Sequence, residues 1–180
     1  MSLKQPKWPV LWRQRGGSKE PADHALGRSR GGFGTKIHLV TDGHGFPLAV
    51  EISAGQAHES TFFLEVLDAF RLPRNPSRSR YRPDRLAADK AYSIEWIRRW
   101  LRQRRIEAVI PRRQDQRARE EEEFDRDAYR RRCVIECCIG WLKECRRVLT
   151  RFEKLAVNYL AVLKLAFIQR FLRIRFSNKA

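Results

Sequence analysis

The chain has 180 residues, of which 42% are hydrophobic, enough for one domain with a packed core. It carries 38 Lys and Arg against 21 Asp and Glu, a formal net charge of +17. An excess of this size favours a polyanion such as nucleic acid as the partner, over a basic surface that only aids solubility, because clustered cations attract phosphate.

Neither the N-terminus nor the cysteines point to secretion or to a membrane. Residues 1–9 hold Lys4 and Lys7 with no apolar run behind them, so we expect no signal peptide. The longest apolar stretch, 155–174, is interrupted by polar and charged residues and predicts an amphipathic core helix. Four cysteines fall on one predicted helix and are expected to be reduced: Cys133, Cys137, Cys138 and Cys145. These features favour a cytoplasmic protein.

The first half of the chain predicts an irregular basic segment followed by a hairpin. Residues 1–34 are rich in glycine and proline and include the basic loop 27–32, with Arg28 and Arg30. Alternating apolar residues then predict strands over 36–41 and 46–52, separated by a four-residue turn at 42–45. We predict that one domain spans 35–175, after the irregular segment 1–34.

The rest of the chain alternates helices and strands. Apolar spacing predicts a helix after Ser60 as its N-cap, and a second helix from Ser93 to about residue 104. Short strands are predicted at 85–88, directly before Asp89, and at 107–110. Between these elements the basic loop 71–83 and the polar stretch 112–126 are expected to be exposed. Two more helices follow, over 127–149 and 156–174.

The predicted helix over 127–149 has two distinct faces. Steps of about 100° per residue place four side chains within about 40° of Glu136: Tyr129, Arg132, Lys143 and Arg147. The opposite side forms a predicted buried seam of apolar residues: Val134, Cys138, Trp141, Cys145 and Val148. One narrow stripe of the helix therefore carries a carboxylate among cations.

Glu136 and Asp89 are the candidate catalytic and metal-binding carboxylates. Cleavage of a phosphodiester commonly uses divalent metal held by carboxylates, and Mg²⁺ accepts only a few protein oxygens. Asp89 follows a short strand, and a short side chain at the end of a rigid element can be directed at a metal ion. Each residue also has a simpler interpretation, because Glu136 could be an ordinary exposed ion pair and Asp89 a turn residue. Taken singly, these simpler interpretations are favoured.

Several blocks of the sequence resemble bacterial insertion-sequence transposases of the DDE type. Tyr129, Arg132, Glu136 and Lys143 have the spacing of that family's Y-R-E-K signature. Other blocks resemble, in order, its hairpin region, the surroundings of its second catalytic Asp and the segment after the signature: 27–32 with 35–38, 55–58, 86–92 and 151–156. The resemblance covers roughly residues 20–170.

This resemblance implies a fold, a reaction and roles for the site residues. The fold would be α/β, an RNase H-like mixed sheet flanked by helices. Asp89 and Glu136 would be the second and third members of an acidic triad that binds Mg²⁺ or Mn²⁺. Arg132 and Lys143 would contact transposon-end DNA, and Tyr129 would position it. The reaction would be hydrolytic nicking followed by attack of a 3′-hydroxyl on target DNA.

Further DNA-binding candidates lie on the same basic surfaces. Arg147 continues the stripe of Glu136, and Arg28 and Arg30 lie in the glycine-rich loop. A complete enzyme of this family would be a homo-oligomer at the nucleoid of a bacterial cell, with no membrane partner.

The chain departs from the family pattern at the first Asp of the triad. Its element order matches the RNase H-like order with the first strand missing, and residues 1–20 contain no Asp. Asp23 falls in a loop and Asp42 in a turn, where aspartate usually bonds its own backbone, so neither is expected to replace it. We therefore expect the isolated chain to bind DNA weakly, without strong sequence preference, and to cut it very slowly or not at all.

Three functions stay open on the sequence. The chain could be the C-terminal or second-frame portion of a DNA transposase, completed by an upstream-frame fragment. It could instead be a catalytically inactive DNA-binding remnant, or a different RNase H-like nuclease. The Y-R-E-K spacing argues against the last, and the first two share every residue.

Overall fold

The computed structural model describes residues 24–29, 31–70, 83–113 and 124–177. Arg30, most of the predicted loop 71–83 and most of the polar stretch 112–126 lie outside these ranges. The order of strands and helices from residue 36 to residue 110 agrees with the prediction, with shifts of a few residues at the boundaries.

Three strands form an antiparallel sheet in the order β1-β2-β3. Strand β1 (Gly27–Ser29) pairs with the first residues of β2 (Gly32–Thr41), and β2 pairs along the rest of its length with β3 (Pro47–Ala54). Strand β2 begins at Gly32 rather than at the predicted residue 36, because the glycine-rich segment pairs with it as a hairpin. Gly32 adopts φ of 109° there, a conformation that favours glycine.

A second, parallel sheet contains only β4 (Arg85–Ala87) and β5 (Glu107–Val109). Helix α2 (Glu95–Gln103) connects them, and α1 (Phe63–Asp68) precedes them in the chain. The predicted α/β class is confirmed, and the described strands form two sheets rather than one mixed sheet. The sheets stay separate because no described strand lies between β2 and β4 to bridge them.

Both predicted helix caps are displaced. Ser60 lies inside a short 3-10 turn, Glu59–Phe62, and the Nδ1 atom of His58 accepts the N–H of Ser60 as its cap. Helix α2 begins at Glu95, two residues after Ser93, whose hydroxyl is completely buried instead.

The long helix predicted over 127–149 is wrong as a single element. It is divided into α3 (Arg126–Arg130), α4 (Cys133–Glu144) and α5 (Arg146–Leu149). Bonds from residue i to i+3 tighten the chain between α3 and α4, and Cys145 takes an extended conformation between α4 and α5. No proline or glycine marks either break, so the local sequence carries no signal for them.

The buried residues form two hydrophobic clusters, here called the first and second core. The first core joins β2 and β3 to the helices α4, α5 and α6 (Ala156–Ser177). The second core joins α1, α2 and β5, around Phe63, Ile97 and Leu101. In the predicted seam, Cys138 and Val148 are fully buried and the other three positions only partly so.

The described residues contain free cysteines and helices that are not of the membrane-spanning kind. All four cysteines are free thiols. Burial raises the pKa of the Cys138 thiol above its ordinary value, which keeps it protonated and unreactive. Of the helices in the described ranges, none combines the length and the apolar character needed to cross a membrane.

Candidate active site

A cavity of about 680 Å³ lies between β2 and β4. Asp89 and Glu136, the two predicted carboxylates, both line it, and so does Arg132. Residues from distant parts of the chain therefore line one space. Asp42 lines the same cavity, but its Oδ1 atom accepts the N–H groups of His44 and Phe46 at 2.9 Å each, as expected of a turn aspartate.

Asp89 lies just beyond the end of β4 and its side chain is exposed. Its Oδ1 atom accepts the N–H of Lys90 and caps a short 3-10 turn, Lys90–Tyr92. Within the described ranges the Oδ2 atom has no protein hydrogen bond, so it is available to an external ligand. The turn interpretation and the ligand interpretation are thus compatible, because each uses a different oxygen.

Glu136 lies in the first turn of α4 and pairs with Arg132. The Nη2 atom of Arg132 donates to Glu136 Oε1 at 2.9 Å, and the guanidinium lies 5.1 Å from the ring centre of Tyr129. Phe124 contacts the same ring, with a centroid separation of 5.4 Å. Tyr129, Arg132 and Glu136 therefore form one connected group although the helix is broken between them. The ion pair between Arg132 and Glu136 is an i,i+4 pair at the surface, so it adds little to stability.

The remaining basic candidates do not join this group. Lys143 is exposed in the last turn of α4. The break at Cys145 interrupts the predicted stripe before Arg147, whose Nη2 atom lies 3.5 Å from Glu153 Oε1. Arg28 is exposed on β1, on the glycine-rich hairpin, and its neighbour Arg30 falls outside the described residues.

Tyr92 is a cavity residue to which the sequence analysis assigned no role. Burial raises the pKa of its phenol, and the negative charges of Glu59 and Asp89 raise it further. The hydroxyl therefore stays a protonated hydrogen-bond donor at the edge of the carboxylate site. Its place in the block after Asp89 was the available signal, because that block as a whole resembled the family.

The described residues do not form a complete metal site. Carboxylates suit Mg²⁺ or Mn²⁺, which prefer hard oxygen ligands. Across the described ranges, however, no three His, Cys, Asp or Glu side chains are grouped so that they could hold a metal ion. Asp89 and Glu136 alone leave the geometry of a cation loose, and no reaction step through a metal follows from them.

Arg151 is a second residue whose role the sequence analysis missed. Its guanidinium donates to the carbonyls of His24 at 2.6 Å and Glu153 at 2.9 Å, and to Thr35 Oγ1 at 2.5 Å. It also lies 5.0 Å from the ring centre of Tyr159. The loop before α6 is thereby fastened to the hairpin.

Comparisons with known proteins identify the family of the chain. The family model described as the transposase DDE domain matches residues 10–169. A protein of Burkholderia cepacia, described as a transposase for insertion sequence element IS402, is 33% identical over 157 residues. The match covers 87% of this chain and 70% of that protein. No solved structure matches the chain. The chain therefore belongs to the DDE transposase family of bacterial insertion sequences.

Proposed function

We propose that this chain is the C-terminal part of an RNase H-like transposase catalytic domain that acts on DNA. Asp89 and Glu136 supply two of the carboxylates for Mg²⁺ or Mn²⁺, and a partner chain from an upstream frame supplies the missing part. The observation that carries the proposal is that Asp89 and Glu136, 47 positions apart in sequence, line one cavity together with Arg132.

The arrangement of the strands supports the RNase H-like part of the proposal. An antiparallel β2–β3 pair and a parallel β4–β5 pair lie on either side of the cavity, each covered by helices. A first strand between them would complete one mixed sheet. Asp89 follows β4, and Glu136 lies on α4, which also lines the cavity.

The cations around the cavity support DNA as the partner. Arg132 is held by Glu136 and stacked on Tyr129, so its position is set before any ligand arrives. Arg131 also lines the cavity, and Lys143 is exposed on the same helix as Glu136. Together with the net charge of +17, this surface suits phosphate oxygens.

DNA binding is tested by fluorescence anisotropy on a labelled duplex over a series of salt concentrations. We expect the logarithm of the affinity to fall linearly with the logarithm of the salt concentration. Lys143→Ala should reduce that slope by about 0.9, the value of one phosphate contact in duplex DNA. Arg99→Ala, the same change of charge on the exposed surface of α2, is the matched control. An affinity insensitive to salt, or equal effects of both variants, would contradict the proposed surface.

A catalytically inactive DNA-binding remnant is the second candidate function. The observation in its favour is the lack of a third metal-binding side chain near Asp89 and Glu136 within the described ranges. Nicking of supercoiled plasmid in Mg²⁺ by the isolated chain should stay at background under either candidate. Addition of the upstream-frame product separates them, because it should restore nicking only in the first. Robust nicking by the isolated chain that Glu136→Ala abolishes would refute the missing-part argument.

A further inference from the structure

Helix α3 carries Tyr129, part of the candidate site, but has little apolar packing of its own. It contains five residues, and Ala128 is its one buried side chain. A helix this short is not stable in isolation, because its few backbone hydrogen bonds do not offset the cost of nucleation. Contacts with other parts of the fold must therefore fix its position.

Asp125, the residue just before α3, makes two separate contacts that provide such a link. Its Oδ1 atom accepts the N–H of Ala128 at 2.8 Å and so caps the helix. Its Oδ2 atom accepts a hydrogen bond from Arg85 Nη1 at 3.2 Å. Both contacts lower the pKa of the Asp125 carboxyl, the hydrogen bond from Ala128 more than the charge of Arg85, so the carboxyl is ionised at neutral pH.

Arg85 connects this cap to the parallel sheet. It is the first residue of β4, and its Nε atom lies 2.8 Å from Oε2 of Glu107, the residue opposite it on β5. One guanidinium therefore joins both strands of the sheet to the first turn of α3. A planar guanidinium suits this role, because its several donors point in fixed directions and can reach two carboxylates at once.

The link leads from the strand before Asp89 to the cation of the candidate site. The ring of Tyr129, on α3, lies 5.1 Å from the guanidinium of Arg132. Arg85, Asp89 and Arg132 all line the cavity. Glu136 is positioned separately, because it lies on α4, whose buried side chains belong to the first core. The contacts of Asp125 therefore act on Tyr129 and Arg132.

The ion pair between Arg85 and Asp125 is too exposed to matter much for stability. Their side chains are 51% and 38% exposed, and surface pairs of this kind contribute little to the free energy of unfolding. The pair nevertheless determines where α3 lies relative to β4. Its loss should therefore change the position of Tyr129 and Arg132 without unfolding the chain.

We propose that Arg85 and Asp125 are positioning residues, which hold α3 against β4 and thereby keep the guanidinium of Arg132 in place for a DNA phosphate. This inference rests on the proposed function for the role of Arg132. The competing explanation is that Arg85 itself binds phosphate and that Asp125 only neutralises it. The two explanations predict opposite changes in DNA affinity when the charge of Asp125 is removed.

Asp125→Asn in the full chain tests the proposal. The asparagine oxygen still caps α3, whereas the charge that holds Arg85 is lost. Asp127→Asn is the matched control, because it makes the same change of charge on α3 and releases Arg130, whose Nη1 atom lies 3.2 Å from Asp127. A gain of positive charge by itself would tighten DNA binding in both variants.

Affinity is measured by fluorescence anisotropy on a labelled duplex. We expect Asp125→Asn to bind at least about 3-fold more weakly than the original chain, a change within the range of indirect couplings. Asp127→Asn should bind equally well or more tightly. Both melting temperatures should stay within about 2 °C of the original, which a purely stabilising role of the pair would not allow.

Arg85→Lys is a second variant that leaves the charge unchanged. It should weaken binding as Asp125→Asn does, because one ammonium group cannot reach both carboxylates in the same geometry. Tighter binding by Asp125→Asn, equal effects of Asp125→Asn and Asp127→Asn, or an unchanged affinity of Arg85→Lys would each overturn the positioning role.

The salt dependence of Lys143→Ala separates this outcome from a failure of the proposed function. If Lys143→Ala reduces the salt slope while Asp125→Asn behaves like Asp127→Asn, only the positioning role is refuted. If Lys143→Ala leaves the slope unchanged, the proposed DNA surface is refuted, and the positioning role is refuted with it.

Discussion

The contacts of Arg151 make it the side chain whose loss should destabilise this fold most clearly. It donates to the backbone of His24, Glu153 and Lys154 and to the hydroxyl of Thr35, and it covers the ring of Tyr159. These partners belong to the loop before α6, to α6 itself, to the chain just ahead of β1 and to β2. Arg151→Ala therefore removes the hydrogen bonds that join the loop before α6 to the hairpin.

The magnitude follows from the number of charge-assisted hydrogen bonds. Each bond to a charged donor contributes about 1.5–3 kcal/mol. Three of the contacts are 2.9 Å or shorter. After a discount for the solvent that reaches part of the loop, we expect the free energy of unfolding to fall by about 3–5 kcal/mol. For a chain of this length that lowers the melting temperature by roughly 6–20 °C.

Chemical denaturation followed by circular dichroism measures this loss. Arg151→Lys should recover only a small part of it, because one ammonium group cannot replace the planar fork that reaches several acceptors at once. Arg99→Ala, on the exposed surface of α2, is the control and should change stability by less than about 0.5 kcal/mol. A melting temperature for Arg151→Ala within about 2 °C of the original would refute the reasoning.

Three further predictions concern the hairpin and the first core. Burial, with the charge of Lys36 adding to it, lowers the pKa of His38 to about 4, so the folded state favours the neutral ring. The resulting stability, about 2–3 kcal/mol, is fully present above the unfolded pKa of about 6.5 and is lost as the pH falls towards 4. Denaturation at pH 7 and at pH 4.5 measures this loss, and equal stabilities at the two pH values would contradict it. A Cβ atom at Gly55 would lie 2.7 Å from the carbonyl oxygen of Gly27, so Gly55→Ala should unfold the hairpin. Gly140→Ala, on an open helix face, should instead raise stability by about 0.5–1 kcal/mol. Thermal melts that rank the two variants in the opposite order would contradict the steric argument. Tyr159→Phe removes the 2.8 Å hydrogen bond to the Val148 carbonyl in a buried site and should cost about 1–2 kcal/mol in urea denaturation, so an unchanged midpoint would show that water replaces the hydroxyl.

The sequence was informative wherever a local pattern has one physical meaning. Alternation of apolar residues identified β2 and β3, and the turn at Asp42 follows from its bonds to its own backbone. The same pattern reasoning located β4 immediately before Asp89. The Y-R-E-K spacing identified the family, because it specifies several chemically distinct side chains at once.

Other features depended on contacts between distant residues. Nothing near Cys145 announces a break, because no helix-breaking residue marks it, and both α4 and α5 contribute side chains to the first core. The pattern of bonds around Arg151 needs His24 and Thr35 beside it, which are more than a hundred positions away in sequence.

The candidate site shows the same division. The sequence by itself determined which residue types are present for the chemistry, Asp89 and Glu136 among a large excess of cations. Only the tertiary structure decided that both carboxylates line one cavity, together with Arg132. Hydrogen bonds between strands are made by the backbone, which is the same in every residue but proline, so side-chain patterns predict a strand but not which other strand it pairs with.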